Sequence, residues 1–148
     1  MNKTNTLIAL AQKLADATPE FHRIKGAGTG DRATNTFMKE LRALARDCFG
    51  EDHSEHRVVD GAKFAVDYWF PDEGTIVEIA LSLRNSQSEF HKDLFKALLA
   101  VDSGRKVKHI VFVSKPGAIK RHDEPASKAI RNWMKKYYGV ETKIVELK

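Results

Sequence analysis

The sequence predicts a single α/β domain built on a mixed sheet flanked by helices. Three observations carry this expectation. At 148 residues and 42% hydrophobic content, the chain has the size of one domain with one buried core. The spacing of its apolar residues changes from about 3.6 to 2 near residue 54 and then alternates between the two periods. A continuously apolar run, Ile110-Val111-Phe112-Val113, has the composition of a strand covered on both faces.

The first element is a short helix, in which Leu7, Ile8, Ala11, Leu14 and Ala15 recur at helical spacing and stop before Thr18-Pro19. Residues 26–30, Gly-Ala-Gly-Thr-Gly, are a loop by composition. Asp31 then offers an N-cap to a second helix with Phe37, Leu41, Leu44, Ala45 and Cys48 on one stripe, ended by Gly50. Residues 56–60 and 63–70 alternate as strands. In the second of these, Phe64, Val66, Tyr68 and Phe70 share one face, and Lys63, Ala65, Asp67 and Trp69 the other. Pro71-Asp72-Glu73-Gly74 is a turn, and residues 75–83 form a third strand with Glu78 and Ala80 on the face opposite Val77 and Ile79.

Ser86-Gln87-Ser88-Glu89 has capping-box spacing and opens a helix with Phe90, Leu94, Ala97, Leu98 and Val101 on its apolar side. A fourth strand at 108–114 follows. Pro125 then opens a helix expected to turn Ala126, Ala129, Ile130, Trp133 and Tyr137 inward and Lys128, Arg131, Asn132 and Lys135 outward. Residues 141–147 close the sheet as an edge strand. An antiparallel meander followed by helical crossovers gives a mixed sheet with helices on both faces. Three segments result: a helix and Gly-rich loop at 1–30, a core at 31–114, and a basic helix and strand at 115–148.

Composition narrows the function classes. No stretch approaches the ~18 consecutive apolar residues of a membrane span, and residues 1–6 do not lead into a secretory signal. A single cysteine excludes an internal disulfide and a cysteine-based zinc cage, which suits a reducing cytoplasm. His53 and His56 are the one close histidine pair and lack further zinc ligands. The formal charge is +5, and residues 104–136 hold ten basic residues against two acids. That balance favours an anionic partner, although a solvated surface explains such a run equally well.

Asp67 and Glu78 carry the chemistry. If the hairpin closes around residues 71–74, Phe70 pairs with Thr75 and each later pair sums to 145, which sets Asp67 opposite Glu78. Directly opposed like charges are destabilising. A divalent cation such as magnesium, which binds through one or two carboxylates, would relieve the repulsion. The plain alternative is two acids on a solvated sheet face. Ala65 and Ala80, opposite each other on the same face, leave room beside the carboxylates.

Asp67, then ten residues, then Glu78-Ile79-Ala80, set between two helices on a hairpin, resembles the PD-(D/E)XK nuclease superfamily with its αβββαβ restriction-endonuclease-like core. The resemblance spans roughly residues 31–114. It implies a metal-dependent endonuclease that hydrolyses DNA phosphodiester bonds, with magnesium or manganese held by Asp67 and Glu78 and with Glu40 of the preceding helix as a further ligand. It also implies a homodimer. A non-catalytic nucleic-acid-binding or protein-interaction module on the same fold is the alternative. The departure is Ala80, where the superfamily usually has lysine. Lys92, one turn into the following helix, is the first candidate to replace it, and Lys63 the second. Arg84 is expected to approach the DNA backbone, as are Lys128, Arg131 and Lys135. The glycine-rich segment before the second helix is either a phosphate cradle or an interhelix linker.

Overall fold

The structure is a computed structural model that describes residues 2–23, 29–81 and 86–148, with the side chains at 29–31 and 86 outside that description. Its elements are α1 (Asn2–Ala17), α2 (Thr29–Phe49), β1 (Ser54–Arg57), β2 (Ala65–Phe70), β3 (Thr75–Ala80), α3 (Ser86–Asp102), β4 (His109–Ser114), α4 (Ala118–Arg121), α5 (Pro125–Tyr138) and β5 (Glu141–Glu146). The five strands form one sheet in the order β1-β2-β3-β4-β5. β1–β2 and β2–β3 pair antiparallel, and β3–β4 and β4–β5 pair parallel. The fold is therefore a mixed open sheet of the α/β class. No described helix is long and apolar enough to cross a membrane.

Two apolar layers cover the sheet. On one face Leu7 and Ala11 of α1 and Phe37, Leu41 and Ala45 of α2 pack on Tyr68, Phe70, Val77, Val111 and Val113. On the other, Phe90, Leu94 and Ala97 of α3 and Met134 of α5 pack on Trp69, Ile76, Ile110 and Phe112. β4 contributes to both layers by strict alternation, as its apolar run predicts. Fully buried rings such as Phe70 and Phe112 each contribute roughly 1.5–3 kcal/mol from area removed from water.

The β2–β3 connection has the expected register. A 3-10 turn at Pro71–Glu73 is closed by Gly74 at φ 60°, and Phe70↔Thr75, Trp69↔Ile76 and Tyr68↔Val77 are partners. Gly74 also receives the chain from the parallel side, since its carbonyl accepts the N–H groups of Lys108 (2.7 Å) and His109 (3.1 Å). Glu73 anchors α1 by accepting from the backbone N–H of Lys3 (2.7 Å) and Thr4 (3.2 Å) and from Thr4 Oγ1 (2.7 Å). Those N–H groups belong to the first helical turn, which has no partners of its own.

Several expectations shift. β1 begins two residues earlier and stops at Arg57, and β2 starts at Ala65, so Phe64 is left 42% exposed. Cys48 and Leu44 are exposed because the buried stripe of α2 runs through Phe37, Leu41 and Ala45. α2 already begins at Thr29, so Asp31 lies inside the helix rather than capping it. In α5 the buried stripe is Ser127 and Met134 with half-buried Ile130, whereas Trp133 and Tyr137 face solvent. The helix is rotated from the expected face because its small Ser127 and slender Met134, not its aromatic rings, fit against α3 and the sheet.

A candidate two-carboxylate site with a helix lysine

β3 keeps its ladder with β4 through Ala80↔Ser114, but its recorded partners on β2 stop at Val77. Beyond that point the Asp67 side chain takes over: its Oδ2 accepts from the backbone N–H of Ile79 at 2.7 Å. Alternation puts Asp67 and Glu78 on the α3 side of the sheet together with Trp69 and Ile76. The two carboxyls are close enough that each perturbs the other's protonation.

Lys96 enters from α3. Its Nζ donates to the Ala65 carbonyl (2.9 Å) and pairs with Asp93 Oδ1 (2.9 Å), and it lies 3.3 Å from Glu78 Oε1. The Lys96 side chain is 11% exposed, and those of Glu78 and Asp93 are 5% and 13% exposed. The contact with Glu78 is at ion-pair distance but off the line of a hydrogen bond, so Glu78 Oε1 is a buried oxygen with no hydrogen-bond partner among the described residues.

The electrostatics follow from burial. Burial pushes Glu78 well above the usual carboxylate range, and the neighbouring Asp67 and Asp93 push it further, against the pull of Lys96. Asp67 is also raised by burial, which outweighs the Ile79 N–H and Glu78 hydrogen bonds. Asp93 is raised by burial despite Lys96. Burial would lower Lys96, but Glu78 and Asp93 outweigh it and the ammonium form is favoured. Three acids thus share one buried cation.

Two carboxylates on one sheet face are the donor set of a hard cation of the magnesium type, which takes one or two protein carboxylates and keeps its waters, and such an ion would share Glu78 Oε1 with the Lys96 ammonium 3.3 Å away. Asp67 and Glu78 are the residues that would hold it. Asp93 is committed to Lys96, and among the described residues no three His, Cys, Asp or Glu side chains come together as a metal cage.

The other anticipated residues are scattered. Glu40 is exposed on α2, which packs on the opposite face of the sheet, so it is not brought to Asp67 and Glu78. Lys92 points to solvent and pairs loosely with Glu89 at 3.9 Å, and Lys63 is exposed before β2 begins. Arg84 and most of the glycine-rich segment lie outside the described residues. Lys128, Arg131 and Lys135 do converge, lining with Glu141 and Thr142 a groove of ≈ 340 Å³ between α5 and β5. Lys128 is paired there with Asp123 (3.0 Å) and Lys135 with Glu141 (3.5 Å), while Arg131 Nη2 donates to the His122 carbonyl (3.0 Å).

Sequence reading missed Asp93 and Lys96. At about 100° per residue, Asp93 borders the Phe90-Leu94-Ala97 stripe, but Lys96 lies about 130° from its centre and only about 40° from Lys92, so periodicity does not separate the two lysines. The i,i+3 spacing of Asp93 and Lys96 is the one local signal that ties Lys96 to the acid at the stripe's border. No family model, curated protein or solved structure matches this chain.

Proposed function

We propose that this chain is a metal-dependent endonuclease of the PD-(D/E)XK kind that hydrolyses DNA phosphodiester bonds. The observation that carries the reading is Lys96 Nζ beside Glu78, on the same sheet face as Asp67. In this reading Lys96 of α3 takes the role of the lysine that Ala80 cannot supply.

Asp67 and Glu78 would hold magnesium or manganese. Such an ion, when bound, supplies Lewis-acid stabilisation of charge at the scissile phosphate and makes water a better nucleophile. The chain's own contribution is positioning. The Ile79 N–H fixes the Asp67 carboxylate, and the Ala65 carbonyl and Asp93 fix the Lys96 ammonium, so that a cationic group is preorganised beside the carboxylates. Lys128, Arg131 and Lys135 supply backbone contacts on the same side of the sheet.

The test is incubation of the purified chain with supercoiled, linear and branched DNA in magnesium, in manganese and in EDTA. Cleavage is expected with either metal. It should fall by about a hundredfold or more in Asp67→Asn, Glu78→Gln and Lys96→Met, and persist in Lys92→Met. Cleavage that survives in both carboxylate variants overturns the site. A homodimer would show in sedimentation of the same samples.

One observation favours a second reading, a non-catalytic binding module. Lys96 already neutralises part of the acidic cluster from within the fold. DNA binding without cleavage under every metal condition would establish that reading in place of the first.

A further inference from the structure

α5 turns toward solvent the rings that its composition assigns to a core. Trp133 is 45% exposed, Tyr137 64% and Tyr138 40%. They form one cluster, with ring centroids 6.4 Å apart for Trp133–Tyr137 and 5.1 Å for Trp133–Tyr138. The interplanar angles of 52° and 62° mean that the rings meet tilted or edge-on and are not stacked face to face on one another. Exposed rings in contact with each other are costly to keep in water without a use.

Charge decides between partners. α5 carries Lys128, Arg131, Lys135 and Lys136 and no acid. Lys136 Nζ lies 5.2 Å from the centroid of the Tyr137 ring. At about 100° per residue, Lys136 projects between the aromatic flank and the basic groove on the other side of the helix. Of these cations Lys136 borders the aromatic face, and a second copy docked there by two-fold symmetry would bring it toward its own equivalent with no acid of α5 between them. A polyanion with planar apolar groups satisfies both features, since bases stack on aromatic side chains while lysines meet the phosphates.

We propose that the aromatic face of α5 is a stacking platform for the unpaired bases of single-stranded DNA, with Lys136 at the phosphates. The choice of DNA rests on the reading in the preceding subsection, but the platform does not depend on Asp67 or Glu78.

Tryptophan fluorescence reads it directly, because Trp69 is buried at 7% exposure and Trp133 is not. The full chain in EDTA is titrated with a thymidine oligonucleotide of about 20 residues, enough to cover one small site, with the matched duplex and with oligouridine of equal length. Thymidine is expected to quench the exposed tryptophan and the duplex to leave it unquenched. By anisotropy of a labelled oligonucleotide, Trp133→Ala should weaken binding roughly tenfold, Tyr137→Ala should weaken it too, and Trp133→Phe should restore most of the loss. Trp133→Phe keeps a ring in the cluster, so its recovery of binding separates lost stacking from lost packing. Asp67→Asn should bind as wild type even if cleavage fails, which separates this surface from the carboxylate site. Wild-type affinity in both alanine variants overturns the platform. So does a preference for oligouridine over thymidine, or a dimer in sedimentation that Trp133→Ala abolishes.

Discussion

Replacing Lys96 by methionine removes the charge from the buried cluster and keeps most of the aliphatic stem. In the wild-type protein the ammonium stands 2.9 Å from Asp93 and 3.3 Å from Glu78, with all three side chains at most 13% exposed. Removing one partner of a buried pair costs about 3–5 kcal/mol, because the remaining charge is left uncompensated. The loss should depend on pH. Glu78 and Asp93 are already raised by burial, and without Lys96 they escape the penalty only by taking up protons. Protonating a carboxyl becomes easier by about 1.4 kcal/mol for each unit the pH falls. The full cost is therefore expected at pH 8, shrinking to about 1–2 kcal/mol at pH 5, where the Ala65 carbonyl still lacks its donor. Urea denaturation in EDTA at the two pH values measures both. For a chain of this size each kcal/mol also moves the thermal midpoint by about 2–4 °C. Adding Glu78→Gln to Lys96→Met should recover part of the loss, with a coupling of about 1–3 kcal/mol. A cost below about 1 kcal/mol at pH 8, or equal costs at pH 5 and pH 8, would refute the buried pair.

Two further outcomes follow from the same geometry. The Glu78 carboxyl is held above its unfolded value of about 4.5, so its contribution to stability is present below that value and lost as pH rises through the folded one. In EDTA, Glu78→Gln should therefore gain on wild type between pH 4 and pH 8, and magnesium at pH 8 should raise the midpoint of wild type but not of the variant. A constant difference across pH would show that Glu78 titrates normally. Gly74→Ala should cost about 2–3 kcal/mol: φ is +60°, and a Cβ would stand 2.7 Å from the Lys106 carbonyl oxygen, which is backbone and cannot swing aside. Gly61→Ala, at φ +73° with nothing within 4 Å, should lose only the conformational part, about 1 kcal/mol. Equal costs in chemical denaturation would mean that the Lys106 contact does not constrain the turn.

Elements defined by local periodicity were legible in the sequence. The order of helices and strands, the doubly covered β4 and the β2–β3 register depend on spacing and turn chemistry, and these act between near neighbours in the chain. The register sum that sets Asp67 toward Glu78 is of this kind, because a four-residue turn leaves few ways to close a hairpin. What periodicity could not supply was the choice between competing partners. Lys92 and Lys96 both lie on α3, and only the helix's rotation on the sheet places Lys96 over Ala65 and sends Lys92 to solvent. α5 carries two stripes able to face inward, and burial of Ser127 and Met134 leaves Trp133 and Tyr137 outside. Glu40 was expected from the resemblance alone, and it sits on a helix that packs in the other layer. The sequence by itself determined a mixed α/β sheet with two acids drawn together on one hairpin. The tertiary structure alone decided which cation meets them and which helix face stays wet, because both depend on how rigid elements pack across residues distant in the chain.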